Sequence, residues 1–150
     1  MKRRLSEKEM NEVLFGALRA VYRFEQEKVA AFELDYGAIY LLQYLRRHAE
    51  APISQVAEEM RLPISTASRL AGRLEKRGLI RRVQDTTDRR RTLVSLKARG
   101  EDLARKVERH SFERLTMNLT GIQPDSFAAL VVAARLLPAV LEVDDEKPAA

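Results

Sequence analysis

The chain has 150 residues, of which 45% are hydrophobic and 33% charged. This balance is typical of a folded, soluble domain rather than a disordered segment. The sequence contains no cysteine, which excludes disulfides, thiolate metal sites and thiol redox sensing and suits the cytoplasm, where we expect the protein to act. Because there is no apolar signal core and no run of about 18 uninterrupted apolar residues, we expect no membrane-spanning segment and no membrane partner.

Positive charge is concentrated in the middle of the chain. The net charge is +5, yet residues 61–114 alone hold 16 basic and 7 acidic residues, a net of +9, whereas residues 1–60 sum to −1 and residues 115–150 to −3. A localised basic block favours polyanions through counterion release. A solvated charged face is the alternative interpretation of the same pattern.

The first predicted element is a long helix from Ser6 to about Phe32. Ser6 and Glu9 have the spacing of a capping box, in which each side chain accepts a hydrogen bond from the other residue's backbone N–H. Apolar residues recur at helical spacing along one face. They are Met10, Val13, Leu14, Ala17, Leu18, Val21 and Tyr22. Such a wide stripe predicts packing on another helix, which a second chain could supply.

A second helix is predicted from Asp35, as N-cap, to about His48. Its apolar positions are Ile39, Leu41, Leu42 and Leu45. Tyrosines at positions 36, 40 and 44 should lie along one side. Seven of the nine aromatic residues fall between Phe15 and Tyr44, a density that favours a hydrophobic core.

A ligand site is the alternative interpretation of this aromatic cluster. Arg19 and Arg23 flank it, so Tyr36 and Tyr40 could contact an apolar ligand whose carboxylate pairs with these arginines.

A helix-turn-helix is predicted next. Ala51-Pro52 breaks the chain, one helix starts at Ile53, Arg61-Leu62-Pro63 forms the turn, and a second helix runs from about Ile64 to Arg77. Ala67, Leu70, Ala71 and Leu74 mark its inward face. The opposite face is polar and basic, and it carries the predicted DNA-binding residues Ser65, Thr66, Ser68, Arg69, Arg73 and Lys76. Short hydroxyl side chains allow close approach to phosphate, and arginine can reach a guanine edge.

A two-stranded wing should follow. Gly78 is expected to end the helix in the left-handed region, and residues 79–84 and 92–96 have strand character. The loop between them carries Arg89, Arg90 and Arg91, which can enter a narrow minor groove. Asp88 is expected to bond the loop backbone or an arginine and to fix the shape of the loop.

Two more helices are predicted. One begins at Lys97 and reaches about Asn118, and the other begins at Pro124. Pro138 should kink the last helix or end it early. The acidic tail from Asp144 is expected to fray.

Together these segments resemble the multiple-antibiotic-resistance regulator (MarR) family of winged helix-turn-helix transcription factors. The resemblance covers about residues 34–110. It rests on Ile53-Ser-Gln-Val-Ala-Glu, Ser65-Thr-Ala-Ser-Arg-Leu, Leu74-Glu-Lys-Arg-Gly-Leu-Ile-Arg-Arg, Asp88-Arg-Arg-Arg, Leu93-Val-Ser-Leu and Gly100. Two positions depart from the family pattern. Arg61 stands where glycine is frequent in the turn, and Lys97 stands where threonine commonly opens the following helix.

The resemblance implies a mainly α fold with a small two- or three-stranded antiparallel β-wing. Residues 34–97 would form the DNA-binding region, and residues 1–33 and 98–150 a helical dimerisation region within one compact chain. It further implies a homodimeric repressor of a pseudo-palindromic operator, released by a small aromatic or phenolic ligand. In such a protein the outer face of the second helix enters the major groove, while Asp88 orients and Arg90 enters the minor groove.

Two rival functions are weighed against a DNA-binding regulator. An enzyme is disfavoured, since the sequence has no cysteine nucleophile, Gly-rich phosphate loop or paired histidine motif, and His48 and His110 lie in different helices. We therefore expect no catalytic residue, metal or cofactor. A winged helix can also serve as a protein-interaction module. That module would be expected to carry apolar or acidic residues where this chain carries Ser, Thr, Arg and Lys.

Overall fold

The structure is a computed structural model that describes residues 5–141. In chain order its elements are α1 (Glu7–Phe32), α2 (Tyr36–His48), β1 (Glu50–Pro52), α3 (Ile53–Glu59), α4 (Ile64–Lys76), β2 (Ile80–Gln84), β3 (Thr92–Leu96), α5 (Ala98–Leu119) and α6 (Pro124–Leu141). The chain divides into two compact units, one ending at Ser111 and one beginning at Phe112, so the boundary falls within α5. The predicted fold, mainly α with a small antiparallel sheet, is confirmed. The expectation for the tail beyond Asp144 falls outside the described residues.

Helix α1 begins at the predicted capping box. The backbone N–H of Ser6 donates to Glu9 Oε2 at 2.8 Å, and the Glu9 N–H donates to Ser6 Oγ at 3.3 Å. The Ser6 N–H and the Ser6 hydroxyl, which also donates to Glu9 Oε2 at 2.8 Å, hold the pKa of the Glu9 carboxyl below its usual value. The end of the helix packs on the core through Val29 and Phe32. The predicted apolar stripe of its first half is exposed to solvent in the single chain.

Helix α2 is the centre of the hydrophobic core. Asp35 caps it as predicted, since Asp35 Oδ1 accepts a hydrogen bond from the Ala38 N–H at 2.9 Å. The four predicted apolar positions are fully buried. At the other end of the helix, Arg46 pairs with Glu101 at 2.9 Å and also with Glu108, which ties α2 to the first turns of α5.

The helix-turn-helix forms at the predicted positions. Val56 and Ala57 of α3 and the inward face of α4 are buried in the core. Arg61, in the turn, holds a φ of 50°, a left-handed conformation that glycine adopts more readily than other residues. This explains why glycine is frequent at this position in the family that the sequence resembles. Gly78 has a φ of 71°, as predicted, and the Leu79 N–H donates to the Leu74 carbonyl at 3.0 Å, which closes the end of α4.

The sheet has three strands in the order β1-β3-β2, all antiparallel. The two wing strands, β2 and β3, lie where they were predicted. In their pairing, Ile80 lies opposite Leu96 and Gln84 opposite Thr92. Strand β1 was not located from the sequence, where Ala51-Pro52 was interpreted only as a break. Ala51 lies opposite Val94, and Pro52 occupies the end of this edge strand, where its missing N–H costs little.

Helices α5 and α6 have bounds close to the predicted ones. Helix α6 continues through Pro138 to Leu141, the last described residue, so of the two expectations for Pro138 the early end is wrong, while the kink stays a prediction. Within residues 5–141, α6 is long and apolar enough to span a membrane by length and composition alone, with a mean hydropathy of 1.5.

Candidate nucleic-acid interface

Helix α4 presents one polar face to solvent because its other face is held in the core. Ala67 and Ala71 are fully buried, and Leu70 and Leu74 are nearly so. This fixes the rotation of the helix. Of the predicted DNA-binding residues on α4, Ser65, Arg69, Arg73 and Lys76 are exposed, whereas Thr66 and Ser68 are half-buried. Arg69 donates to Thr66 Oγ1 at 3.3 Å, one turn before it.

A groove of about 810 Å³ runs beside this face of α4. Its lining combines four cationic side chains, two hydroxyls, one carboxylate and a small apolar floor. The lining residues are Asp35, Gly37, Leu62, Thr66, Ser68, Arg69, Leu70, Gly72, Arg73, Lys76 and Arg82. Cations and hydroxyls around a shallow apolar floor suit a polyanion with flat edges, such as duplex DNA.

Arg73 is held by a residue from another element. Its Nη2 donates to Asp35 Oδ2 at 2.7 Å, while the other carboxylate oxygen of Asp35 caps α2. Both side chains are more than half exposed, so solvent screens the pair and leaves Arg73 able to exchange its partner. From the sequence, Asp35 was predicted only as a helix cap, because its contact with Arg73 spans 38 positions.

Arg82 lines the same groove and was not among the predicted site residues. Its Nε donates to Glu75 Oε2 at 2.8 Å, and its backbone N–H donates to Glu75 Oε1 at 3.1 Å. These hydrogen bonds hold the pKa of Glu75 below its usual value. A signal was present in the sequence, since strand alternation places Arg82 on the same face as buried Ile80, toward the core side of β2.

The wing loop is closed by its own polar residues. The Asp85 N–H donates to the Arg91 carbonyl at 2.9 Å, and the Arg91 N–H donates to the Asp88 carbonyl at 2.9 Å. Asp88 Oδ1 accepts from the Arg90 N–H at 3.0 Å, so the prediction that Asp88 bonds the loop backbone is confirmed. Asp85 accepts from the Thr87 hydroxyl and N–H, which lowers the pKa of Asp85.

The predicted wing residues Asp88, Arg89, Arg90 and Arg91 are exposed on this loop, whose backbone is held by the hydrogen bonds described above. Arg91 Nη1 lies 3.8 Å from Asp85 Oδ2, back toward the strands. The loop therefore presents guanidinium groups to solvent from a backbone that its aspartates fix.

Of the four residues predicted to bind an effector, Tyr36 and Tyr40 lie together at one cavity, whose lining does not include Arg19 or Arg23. Tyr36 and Tyr40, with ring centroids 6.4 Å apart, line a cavity of about 340 Å³ together with Glu59, Met60, Arg61 and Leu62. The Tyr40 hydroxyl donates to Glu59 Oε1 at 2.6 Å, which, with partial burial, raises the pKa of Tyr40 to about 12. Arg19 and Arg23 lie exposed on α1.

The two histidines make separate structural contacts. His48 stacks on Tyr44 with centroids 4.1 Å apart, and His110 packs edge-on against Phe32 at 5.5 Å, with its Nε2 3.7 Å from Glu27. In the part of the chain that the structure describes, no group of three or more His, Cys, Asp or Glu side chains is arranged to hold a metal ion.

Comparisons with known proteins agree with this geometry. The model of the MarR family matches residues 36–92, which run from the start of α2 to the start of β3. The HTH-type transcriptional regulator YxaD of Bacillus subtilis is 34% identical over 96 residues, which cover 64% of this chain and 66% of YxaD, just under two thirds of its length.

Solved structures share the fold. A MarR family protein from Bacillus stearothermophilus superposes with a TM-score of 0.81 at 19% identity, covering 92% of this chain and 99% of that protein. Streptococcus pneumoniae FabT, solved in complex with DNA, superposes with a TM-score of 0.75 at 20% identity, covering 91% of this chain and 97% of FabT. Residues 36–92 of this chain match the MarR family, and the chain is similar in sequence to HTH-type transcriptional regulators and in fold to MarR family structures.

Proposed function

We propose that this protein is a homodimeric DNA-binding repressor that recognises a pseudo-palindromic operator and is released by a small aromatic ligand. The observation that carries the DNA-binding part is the cationic groove along α4. Three basic side chains and two hydroxyls come from one face of a helix whose rotation is fixed by the core, and Arg82 of β2 adds a fourth basic side chain. Ser65, Thr66, Ser68, Arg69, Arg73 and Lys76 are the proposed contacts from α4, and Arg89, Arg90 and Arg91, braced by Asp88, are those from the wing.

A protein-interaction module is the rival that this face disfavours. Protein interfaces bury an apolar centre with aromatic anchors and are depleted of lysine. The groove beside α4 has no aromatic lining residue, and four of its eleven lining residues are cationic. FabT, which shares the fold, was solved with DNA, and this supports the same partner class for the present chain.

The homodimer is supported by apolar side chains that lack cover in the single chain. On α1, Phe15 and Leu18 are 66% and 65% exposed, and on α6 every large apolar residue is at least partly exposed. Monomeric soluble proteins seldom expose contiguous apolar faces of this kind. A second copy that covers them would also explain the apolar composition of α6 without a membrane, in a cytoplasmic protein. Two winged domains held at fixed spacing would then read two half-sites.

Ligand release is supported by the cavity beside Tyr36 and Tyr40, whose volume lies in the range of small-molecule sites. An aromatic ring could pack on these tyrosines, whereas the exposed Arg19 and Arg23 of α1 remain the predicted partners for a carboxylate. The test is whether phenols and aryl carboxylates release bound DNA. Release that survives removal of both arginines would assign the carboxylate to another partner.

The DNA-binding part is tested by gel shift on the duplex that lies upstream of the gene. We expect Arg73→Ala and Arg90→Ala to weaken binding by about 1–3 kcal/mol for a base contact. Arg105→Ala, which removes an exposed arginine of α5, is the matched control and should leave affinity unchanged. A wild-type protein that fails to bind this duplex even at low salt would contradict the proposal.

A further inference from the structure

Arg82 is held in a defined position at the side of the cationic groove by contacts with α4. Glu75 fixes its Nε edge from α4 at 2.8 Å and also accepts its backbone N–H. A Cβ placed on Gly72 would lie 3.8 Å from both terminal nitrogens of Arg82, so the guanidinium lies beside α4 at this position. The side chain is 33% exposed, which leaves it partly open to the groove.

The strand register explains why this arginine differs from its neighbour. Ile80 and Arg82 share the inner face of β2, and Ile80 is fully buried. Arg81 points to the other face, where its Nε donates to Ser95 Oγ at 3.0 Å. The two adjacent arginines therefore lie on opposite faces of the sheet, and of the two only Arg82 lines the groove of α4.

The arrangement of charge favours an anion on the groove side of Arg82. The Glu75 carboxylate holds the Nε edge, while the terminal nitrogens lie against Gly72 and line the groove with Arg69, Arg73 and Lys76. A guanidinium with one edge bound can still donate from its remaining N–H groups to phosphate oxygens. Because its orientation is set before binding, little side-chain freedom is lost on contact.

We propose that Arg82 is a further DNA-contacting residue that binds a backbone phosphate at the edge of the groove, oriented by Glu75. This inference rests on the proposed DNA binding. A phosphate contact is expected rather than a base contact, because Arg82 is anchored on β2 at the side of α4 and its reach is limited by Glu75. Phosphate contacts position a protein on the duplex and carry no sequence information.

The test compares Arg82→Gln with Arg81→Gln, which removes the same charge from the adjacent position of the strand. Affinity is measured across salt concentrations on the upstream duplex and on a scrambled duplex of equal length. For Arg82→Gln we expect a similar loss on both duplexes and a salt-dependence slope reduced in magnitude by about 1. Arg81→Gln should keep the wild-type slope, and Arg82→Lys should restore part of it.

A structural role alone would lower thermal stability but leave the slope unchanged, and that result would overturn the inference. If Arg82→Gln fails to fold, protection of Arg82 from phenylglyoxal in the wild-type protein decides the question. Added duplex should then protect Arg82 but not Arg81, and equal modification of Arg82 with and without DNA would contradict the contact. A wild-type protein that binds neither duplex would refute the proposed function itself. Wild-type binding with equal slopes for both glutamine variants would refute only the role of Arg82.

Discussion

Single backbone positions decide how the winged domain closes. Gly100, the third residue of α5, lies so close to the start of β2 that a Cβ would be 1.9 Å from the Leu79 carbonyl oxygen. That oxygen accepts a hydrogen bond from the Lys97 N–H at 2.9 Å, which fixes the first turn of α5 against the wing. Elsewhere non-glycine residues accept strain. Ala49 holds a φ of 52° and a ψ of −57° between α2 and β1, a conformation that alanine rarely adopts.

We therefore predict that Gly100→Ala destabilises the protein by about 1–3 kcal/mol or more, because the methyl group must displace backbone rather than a flexible side chain. Urea unfolding measures the change. Gly72→Ala is the control, since its Cβ would make only ordinary contacts at 3.8 Å in mid-helix. This variant should gain about 0.5–1 kcal/mol from helix propensity. Equal stability of the two variants would contradict the close approach at Gly100.

At the scale of elements, α2 and α4 are joined by one carboxylate with two tasks. Asp35 caps α2 through Oδ1 and holds Arg73 of α4 through Oδ2. The same carboxylate lines the groove that DNA would occupy, so it competes with phosphate for Arg73 and adds a negative charge at the site. The cap stabilises the fold, whereas the ion pair limits affinity.

Asp35→Asn should separate these tasks, since asparagine can keep the cap while removing the charge. We predict unchanged thermal stability and DNA affinity raised by roughly twofold to fivefold at low salt. Glu33→Gln removes one nearby exposed acid that lies outside the groove lining, and it should have a smaller effect. Weaker binding by Asp35→Asn in a gel shift would show instead that Asp35 positions Arg73 for DNA.

At the scale of the whole molecule, the described chain has a well-packed winged domain and apolar helices without cover. The core around α2 buries Leu41, Leu42 and Leu45 completely, whereas Leu18 of α1 is 65% exposed. These helices agree in composition with the proposed dimer, in which each copy would cover the apolar face of the other.

Leu18→Glu should break that dimer, because it places a charge on the apolar face of α1 without disturbing the core of the single chain. Analytical ultracentrifugation is expected to show a dimer for the wild type and a monomer for the variant, with the circular dichroism spectrum still helical. Gln26→Glu adds the same charge at an exposed position outside the predicted stripe and should remain dimeric. A dimer that survives Leu18→Glu would remove this face of α1 from the interface.

The sequence alone determined the local elements, because their signals lie within a few residues. Ser6 with Glu9, Asp35 with Ala38, and Gly78 after α4 mark helix ends through contacts no more than a turn away. The inward face of α4 followed from the spacing of its apolar residues, and its outer face followed from what remained. The turn of the wing was likewise recognisable from Asp88 and the arginines after it.

Only the tertiary structure decided which distant residues meet. Strand β1 forms because Ala51 pairs with Val94 of β3. Arg73 bonds Asp35 across 38 positions, and the hydrogen bond with Glu75 holds Arg82 at the groove. No periodicity marks such pairs, since each depends on how helices and strands pack after they form. For the same reason the sequence grouped Arg19 and Arg23 with Tyr36 and Tyr40, whereas the folded chain places the tyrosines at a cavity whose remaining lining comes from residues 37 and 59–62.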